Sequence, residues 1–444
     1  MNSSFYNGIS GIKTHQFGLD VWAGNIANAN KVGFKTSIPE FSTIYAQTMT
    51  ASSLATPVAN DIGTGSHMQA STVDFQQGSI TKTENPFDLA INGEGWFGIV
   101  TPNGENLYTR AGLFNRDSEG YLTDAVGNFL VGTVTNNIKD GVVVDNPVKT
   151  VDLGAPEAQS KILLEENVTM PPVPTDKVTF KGSLNSKPIY QITQDNSKIE
   201  IANKESFQST IINSDGTTGT LTLDFTKVVP QEIDKTVWKA KATLVDQDNN
   251  TISTKEGVLQ FNDRGAMVSN SLTSIDNNGS EIKLNLGSIY DPNKPNSGFD
   301  GLFSYHSGEE YYAKSVTQNG KKGGDLTGYS VQDNGLIVAG FDNGDTIPVA
   351  KIALYHFRNN AGLEQSSPIY FKQTANSGVP SFYKDKDGHT INTATISSHA
   401  LEKANISMAT ALTELIIMQK AFDASAKSIT TSDQLIQNAI NMKK

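Results

Sequence analysis

The residues best suited by type and spacing to do chemistry form a glycine-rich hexad, Gly93-Glu-Gly-Trp-Phe-Gly98, which matches the pattern G-x-G-x-x-G. In a dinucleotide-binding turn, the third glycine opens a helix whose amino end faces a pyrophosphate. Here Gly98 is followed by Ile99-Val100-Thr101-Pro102, which predicts continued strand and then a turn. The bulky Trp96 and Phe97 also stand where the backbone would approach phosphate. We therefore interpret the hexad as a β-turn with inward-packed aromatic side chains, and we expect no cofactor.

Oxygen-rich and imidazole side chains raise the question of a metal site. Asp246-Gln-Asp-Asn-Asn250 begins like an EF-hand loop, but Thr251 stands where the invariant glycine belongs and Gly257 where the bidentate glutamate belongs. A hairpin turn after a strand that ends at Val245 is the better interpretation. None of the six histidines forms an i, i+4 pair or an H-E-x-x-H motif. We therefore expect no metal site.

Nucleophilic catalysis has no support in the sequence. The chain lacks cysteine, which excludes a thiol nucleophile and disulfides, and it lacks a G-x-S-x-G elbow. A polysaccharide hydrolase is an alternative in principle because the chain has 46 Asp and Glu residues, but no spacing selects a catalytic pair. We expect no catalytic residues and a protein that is not an enzyme.

Composition narrows the class of protein. A length of 444 residues predicts two or three domains, and 37% hydrophobic with 18% charged residues favours β-rich lobes with a polar, uncharged surface. The net charge of −11, without a Lys/Arg cluster, argues against nucleic acid as a partner. No apolar stretch reaches the roughly 20 residues that span a bilayer, and no secretory signal opens the chain, so we expect no membrane insertion. On composition alone, a cytoplasmic location is the default expectation.

The elements at the two ends of the chain share a seven-residue rhythm, which lays one narrow apolar seam along a helix and favours packing against another helix. The N-terminal seam consists of Phe5, Ile9, Ile12, Gln16, Leu19, Ala23, Ile26 and Asn30. The C-terminal seam consists of Leu401, Asn405, Met408, Leu412, Leu415, Gln419, Phe422, Ala426, Ile429, Asp433, Ile436 and Ile440. The second seam predicts a helix of roughly 60 Å from Leu401 to Ile440. We expect both seams to mediate assembly with copies of the chain.

Between the ends, short apolar runs broken by Gly, Asn and Asp predict short strands. We predict a mixed α and β fold, with paired, coiled-coil-like terminal helices and two mostly antiparallel β lobes, the second inserted in the first. A tandem arrangement of lobes is the alternative, but it would leave the terminal helices without a partner. The predicted parts are a terminal helical polymerisation domain (1–40 and 396–444), an extended connector (41–74), an inner β domain (75–150 and 301–395) and an outer β domain (151–300).

Four stretches together resemble the flagellar rod and hook family of bacteria, in an order and spacing that cover more than half of the chain. They run over residues 25–35, 76–127, 344–378 and 401–433. The positions that match the family's motifs include Asn28, Gly33, Phe34, Lys35, Asp88, Gly93, Gly95, Tyr108, Arg110 and Gly112. The middle of the chain, including Ser183-Leu-Asn-Ser186 and Trp238, is similar to hook sequences, whereas rod proteins lack a large middle. A distal rod protein is the second interpretation.

The resemblance implies a structural subunit of the flagellar hook, which self-assembles into a curved helical tube and acts as a universal joint between rod and filament. The implied partners are copies of the chain itself, the distal rod, the hook cap, the hook–filament junction proteins and the export apparatus. The implied location is extracellular, in the hook, after export without a cleaved signal peptide. This replaces the cytoplasmic default. A secreted β-rich adhesin or glycan-binding protein is a remote alternative, because it would leave the terminal seams without a role.

Polar residues interrupt the apolar seams at a regular interval. Asn405, Gln419 and Asp433 recur every 14 residues, and Gln16 and Asn30 repeat that interval at the other end. A polar residue in a seam lowers stability but fixes the register between helices. The resemblance offers a second explanation, since these residues would also suit the wet channel of a tube. The sequence leaves both explanations open.

Overall fold

A computed structural model describes residues 2–43, 47–48, 61–62, 65–231, 234–305, 313–384, 386, 390–391 and 394–442. In this part of the chain the fold is mostly β, with an α-helix near each end. Helix α1 spans Asn2–Ala27 and helix α2 spans Met408–Asn441, and two short 3-10 turns lie at Pro156–Ala158 and Asn360–Gly362. Neither helix is long and apolar enough to cross a membrane.

Helix α2 begins later than the heptad pattern predicts. Leu401 lies in a strand, Ala400–Glu402, and Asn405 lies in the loop that follows it, so the prediction that both belong to the helix is wrong. The helix starts where Ser407 provides the N-cap, its side chain accepting a hydrogen bond from the backbone N of Thr410. The heptad spacing of Leu401 and Asn405, which lie before the helix, is coincidental.

Helix α1 ends earlier than predicted, at Ala27, so Asn30 lies in a turn beyond it. Gly33, beyond the end of the helix, has a left-handed conformation with φ +68°. Its conformation serves a close approach between the chain after α1 and the β-sheet, described below.

The segment after α1, most of which was predicted to be an extended connector, contains paired strands. Its strands are β1 Ser37–Thr43, β2 Gln47–Thr48, β3 Asp61–Ile62 and β4 Ser66–Val73. Strands β1 and β4 are antiparallel over their full length, and Thr14 Oγ1 of α1 donates a hydrogen bond of 3.1 Å to Ser66 O. The rest of the predicted connector, residues 44–46, 49–60 and 63–64, lies outside the described residues.

The next segment carries eleven short strands. They are β5 Ile80–Lys82, β6 Leu89–Asn92, β7 Trp96–Val100, β8 Asn106–Thr109, β9 Asn115–Arg116, β10 Leu122–Thr123, β11 Phe129–Val134, β12 Ile138–Lys139, β13 Val142–Val143, β14 Ser160–Lys161 and β15 Thr169–Met170. The glycine-rich hexad joins β6 to β7 as a turn in which Gly93 and Gly95 have positive φ. Phe97 is fully buried in the strand that follows, which confirms the β-turn interpretation of the hexad.

The middle of the chain carries longer strands. They are β16 Lys177–Asn185, β17 Ile189–Ile192, β18 Lys198–Ile201, β19 Lys204–Ile212, β20 Thr218–Lys227, β21 Lys235–Val245, β22 Thr251–Asn262, β23 Met267–Asn270, β24 Ser274–Asn277, β25 Ser280–Asn285, β26 Leu302–Tyr305 and β27 Ser315–Gln318. The EF-hand-like segment is the turn between β21 and β22, where Asp246 Oδ1 accepts hydrogen bonds from the backbone N atoms of Asp248 and Asn250. The hairpin interpretation is thus confirmed.

The last β segment returns to short strands. They are β28 Gly324–Val331, β29 Leu336–Phe341, β30 Thr346–Ile352, β31 Leu354–Tyr355, β32 Glu364–Ser367, β33 Tyr370–Lys372, β34 Tyr383–Lys384, β35 Thr390–Ile391, β36 Thr395–Ser398 and β37 Ala400–Glu402. Several of them pair with strands of the first β segment: β30 with β11, β33 with β8, β36 with β6 and β37 with β5.

Strand pairing separates the middle of the chain from the segments on either side. Within the described residues, β16 to β27 pair with one another, whereas β14 and β15 join the flanking sheet through β11 and β28. Two groups of buried residues follow the same division. One contains Leu89, Phe97, Ile162, Ile337 and Ile352, and the other contains Phe180, Phe225, Trp238, Phe261 and Leu302. Residues 160–170 therefore pack with the flanking segments, and residues 302–305 and 315–318 pack with the middle.

Trp238 offers a test of the central core. Its ring is fully buried and its Nε1 donates a hydrogen bond of 3.2 Å to Ser304 Oγ. We expect Trp238→Phe to lower the free energy of unfolding of this core by about 2–3 kcal/mol, because ring volume and a hydrogen bond are lost. Calorimetric or urea unfolding should show the shift in one transition, with the transition of the flanking core unchanged.

Trp96 provides the matched control because it is buried in the flanking segments, in a cluster with Tyr108 and Phe371. Trp96→Phe should shift the unfolding transition of the flanking core and leave that of the central core unchanged. If either substitution moved both transitions equally, the two cores would be one cooperative unit.

Candidate functional site: the terminal helices and their junction with the sheet

The two helices lie antiparallel and in close contact through small residues. A Cβ atom added to Gly8 would lie 2.6 Å from Ile429 Cγ1, so no side chain fits between the helices at that point. The same closeness recurs along the pair. The contacts, from one end to the other, are Ser4 with Ser432, Gly8 with Ile429, Gly11 with Ser425 and Gly18 with Met418.

The buried face of α1 lies beside the predicted apolar seam and does not coincide with it. The buried positions are Gly8, Gly11, Thr14, Gly18, Trp22 and Asn25. Apart from Thr14, each precedes a seam residue by one position, which is about 100° around a helix. The seam itself remains partly or fully accessible: Ile9, Ile12, Leu19 and Ile26 are half-buried, and Phe5, Gln16, Ala23 and Asn30 are exposed.

Helix α2 uses only part of its seam in the contact with α1. Leu415, Phe422, Ala426, Ile429 and Ile436 are half-buried. The remaining helical seam residues are exposed: Met408, Leu412, Gln419, Asp433 and Ile440. Ile416, Ile417 and Leu435 are also exposed, and the exposed fractions of Leu412 and Ile416 are 47% and 54%. Met408, Leu412 and Ile416 follow one another at four-residue spacing and form a row of large apolar side chains on one side of the helix, which we call the outer face of α2.

A buried carboxylate lies at the root of α2. The side chain of Glu402 is fully buried, and its Oε1 accepts hydrogen bonds from Lys35 Nζ at 2.7 Å and from the backbone N of Gly78 at 2.8 Å. Arg110 Nη1 lies 3.5 Å from the other carboxylate oxygen, Oε2. Lys35 Nζ also donates to Gln76 O at 2.7 Å. One carboxylate thus joins chain segments that are distant in sequence.

Two asparagines complete the junction. Asn405 Oδ1 accepts hydrogen bonds from Thr36 N and Thr36 Oγ1, both at 2.8 Å, and its Nδ2 donates to Asp74 O at 2.8 Å. Asn25, on α1, donates to Ser37 O at 2.6 Å and accepts from Ser37 N at 2.9 Å. The end of α1 and the loop before α2 are therefore both tied to the chain at the start of β1. Asn405, predicted as a seam residue, is a structural residue of this junction.

Glycines permit the close approach of the segments in the junction. A Cβ on Gly33 would lie 2.3 Å from Ala111 N, and one on Gly112 would lie 1.7 Å from Leu89 O. Arg110 Nη2 donates to Gly93 O at 2.9 Å. The motif residues Gly33, Lys35, Gly93, Arg110 and Gly112 thus meet around Glu402.

The other predicted motif residues lie near the junction in supporting positions. Asn28 Nδ2 donates a hydrogen bond to Gly24 O at the end of α1. Phe34, which precedes Lys35 in sequence, is buried. Asp88 is buried and accepts from Asn85 Nδ2 at 3.3 Å. Tyr108 packs edge-on against Tyr355 and Phe357. Gly95 lies against the ring of His356.

Burial dominates the electrostatics of the junction. It lowers the pKa of Lys35, and Glu402 opposes this effect by favouring the charged ammonium group. Burial likewise lowers the pKa of Arg110, again against the effect of Glu402. Among the described residues, no group of three or more His, Cys, Asp or Glu could hold a metal ion. The arrangement suits a structural junction that fixes geometry.

His356 is a second buried titratable group near the junction. Its ring lies 4.2 Å from that of Tyr383, between centroids, and only 6% of the residue is exposed. Burial and, to a smaller extent, the charge of Arg110 lower its pKa from 6.5 to about 4. This histidine therefore stays neutral in the folded chain at moderately acidic pH.

Removal of the Glu402 charge tests the junction. We expect Glu402→Gln to lower the free energy of unfolding by about 3–5 kcal/mol, because Lys35 and Arg110 would be left buried without a counter-ion. Urea unfolding measures this change. The solvent-accessible pair of Lys372 Nζ and Glu105 Oε1, 2.6 Å apart, is the control, and Glu105→Gln should leave stability close to that of the wild type. Equal effects of the two substitutions would contradict the special role of Glu402.

His356 predicts a dependence of stability on pH. Because its pKa is about 4 in the folded chain and 6.5 in the unfolded chain, the unfolded chain binds more protons between these values. Its contribution, roughly 3 kcal/mol, should be complete above pH 6.5 and lost as the pH falls towards 4. Unfolding midpoints across this range should fall less steeply for His356→Leu than for the wild type. His67→Leu, at an exposed strand position, is the control substitution.

Known proteins similar to this chain are flagellar. Residues 90–218 match the family described as flagellar hook protein FlgE/F/G D1 domain, and residues 397–442 match the flagellar basal body rod FlgEFG protein C-terminal family. The flagellar hook protein FlgE of Borreliella burgdorferi is 28% identical over 470 residues, with 100% of both chains covered. The flagellar hook protein FlgE of Escherichia coli is 26% identical over 449 residues, which cover 99% of this chain and 100% of that protein.

A solved structure shares the fold. The flagellar hook protein FlgE2 of Helicobacter pylori aligns with a TM-score of 0.53 at 16% identity, over 73% of this chain and 100% of that chain. The similarity that the four sequence stretches indicated is therefore confirmed, and the full-length matches to hook proteins do not favour the rod alternative. The family matches and the full-length relatives together support a flagellar hook protein, a structural subunit of the bacterial flagellar hook.

Proposed function

We propose that the chain polymerises through its terminal helices into the curved tube of the hook and acts there as a universal joint between rod and filament. The observation that carries this proposal is the outer face of α2, which α1 leaves exposed. Contiguous apolar surface on a folded chain marks an interaction site. A copy of the chain is the partner that the family membership indicates.

The helix pair has two faces with different uses. Its small residues bring α1 and α2 together within one chain, whereas the apolar residues beside them point to solvent. A surface that meets a different surface of the next copy makes a heterologous contact, which builds a helical filament when the rotation does not close. Coiled-coil-like packing of the exposed seams between copies is the mode of contact that we propose.

The strand pairing supports a division of the chain into nested domains. We propose terminal helices, a connector after α1, an inner β domain built from the two flanking β segments, and an outer β domain inserted between them. The pairing of β15 with β28 and of β27 with β16 favours boundaries of the outer domain near residues 175 and 320. These replace the boundaries at 151 and 300 that the sequence suggested.

The junction around Glu402 has a mechanical role in this proposal. A joint that carries torque needs its polymerising helices fixed to its β domains. Hydrogen bonds from Lys35, Thr36 and Gly78 to side chains before α2 provide that fixation. The helices then turn with the inner domain instead of swinging freely.

The polar seam residues remain candidates for setting register. Gln16, Gln419 and Asp433 are exposed on the helix pair, and are thus free to contact a neighbouring helix or to face a wet channel. Asn405 no longer belongs to this set because the junction uses it. Both roles remain open for the other residues.

The place of the chain in the cell follows from the same proposal. We place it outside the cell, in the hook, after passage through the flagellar export apparatus. Its further partners would be the distal rod, the hook cap and the hook–filament junction proteins. Pull-down of each from a flagellated cell with the purified polymer would test these contacts.

Substitution on the outer face of α2 tests assembly. We expect Leu412→Gln with Ile416→Gln to raise the critical concentration for polymerisation at least about tenfold, because buried apolar contacts between copies are lost. Sedimentation and electron microscopy after salting-out measure the polymer. Val126→Gln with Val379→Gln is the matched control, since both valines are 71% exposed and lie far from the helices in sequence. Unchanged polymerisation of the α2 variant would overturn the proposal.

Gln419→Leu distinguishes the two roles of the polar residues in the same assay. A change in the helical geometry of the tube supports register selection, and unaltered geometry supports a channel-facing position.

A further inference from the structure

A hairpin of the outer lobe exposes large apolar side chains along its whole length. Strands β17 and β18 form a two-stranded sheet of their own. The exposed residues, with their exposed fractions, are Ile189 46%, Tyr190 58%, Ile192 65%, Ile199 53% and Ile201 39%. Scattered surface apolar residues need no explanation, but a cluster of this size marks a contact surface.

The strand register collects three isoleucines on one face of the hairpin. Ile189 lies opposite Ile201, and Gln191 lies opposite Ile199. Because side chains alternate between the two faces of a strand, Ile189, Ile199 and Ile201 share one face. We call these three residues the isoleucine face. Glu200 and Lys198 lie on the other face, with Tyr190 and Ile192.

The base of the hairpin is fixed to the lobe through Glu200, which lies on the face opposite the isoleucine face. Lys227 Nζ, on a side chain only 4% exposed, lies 3.0 Å from Glu200 Oε1 and donates to Ser186 O at 2.9 Å. Asn203 Nδ2 donates to Asn185 O at 2.9 Å. Glu200 meets the lobe only at the base of the hairpin, since Tyr190 and Ile192 on the same face are 58% and 65% exposed. Beyond its base, the hairpin therefore presents both faces to solvent.

The same chain carries an apolar cleft at the other end of the lobe. Between the proline-rich segment and the inner sheet lies an open cavity of about 550 Å³. Its apolar lining consists of Val143, Met170, Pro172, Val173 and Ile347, with Lys149, Lys321 and Asp345 among its polar residues. We call it the linker cleft.

The hairpin and the cleft of one chain are too far apart to meet. The backbone N of Thr175, beside the linker cleft, donates to Ile212 O at the end of β19, and the hairpin leads into the other end of β19 at Lys204. Nine residues of strand at about 3.3 Å each separate the two ends by roughly 30 Å. An apolar projection and an apolar cleft at separate places on one molecule suit a heterologous contact between copies.

We infer that the isoleucine face docks in the linker cleft of a second copy of the chain. This inference rests on the proposed polymerisation and names an outer-lobe contact that accompanies the helix contacts. The contact links the outer lobe of one subunit to the base of the outer lobe of its neighbour.

Photo-crosslinking in the polymer tests the contact. Benzoylphenylalanine at position 199 of the full chain should crosslink to residues 143–149 or 170–174 of another copy, as mass spectrometry of polymers from mixed isotopic labels would show. The same probe at position 192, on the opposite face, is the control and should not reach the cleft. Crosslinks from position 199 only within one chain, only to other surfaces or not at all would overturn the inference.

Substitution of the isoleucine face gives a second readout. Ile189→Ser with Ile199→Ser and Ile201→Ser should raise the critical concentration for polymerisation at least about tenfold, whereas Tyr190→Ser with Ile192→Ser should leave it near the wild-type value. Unfolding midpoints should stay within error of the wild type, because these side chains are exposed. A wild-type chain that forms no tubes would overturn the proposed function and this inference together.

If wild-type tubes form and the isoleucine variant polymerises equally well, only the inference fails. It also fails if the variant polymerises normally but loses binding to a surface polysaccharide or another protein, since the hairpin would then serve a different partner.

Discussion

The arrangement of the terminal helices depends on one buried carboxylate. A charge as deeply buried as that of Glu402 is unfavourable unless counter-ions and hydrogen bonds surround it. Lys35, Arg110 and the backbone N of Gly78 supply them, and they come from three separate parts of the chain. The carboxylate is satisfied only when the segment after α1, the segment after β4 and the inner sheet all converge on the root of α2. The ion cluster thereby specifies a geometry, whatever its net contribution to stability.

The helix pair divides its surface between folding and assembly. Glycines at positions 8, 11 and 18 bring the backbones of α1 and α2 close together, so the intrachain contact uses little of the apolar surface. The large apolar residues of α2 remain in water in the single chain, and the proposed polymer would bury them. Assembly can therefore draw on apolar surface that folding leaves unused. This also explains why a seam so regular in sequence faces solvent in part.

Sequence patterns predict the structure well where short-range chemistry determines it. The helices, most of the short strands, and the turns at the glycine hexad and at Asp246 follow from periodicity and turn chemistry. Prediction from sequence fails where contacts between residues distant in sequence determine the structure. Glu402 and Lys35 are 367 positions apart, and no spacing indicates that they meet, so the heptad pattern alone extends the helix back through Leu401. The buried face of α1 is likewise offset by one residue from the predicted seam. That offset depends on how α1 packs against its partner, about which the periodicity of the sequence carries no information.

The connection between the two groups of strands explains how the chain can be rigid at the helix junction and deformable elsewhere. The chain passes between them twice, through the proline-rich segment around Val173 and through the return around Lys321, and these two residues pair by an isolated β-bridge. The terminal helices, by contrast, are held at the junction by several buried hydrogen bonds. A load on the subunit therefore meets its smallest resistance at the narrow connection, because few contacts must change there. In the proposed tube, deformation at that point would leave the ion cluster and the helix pair intact while the middle strands move.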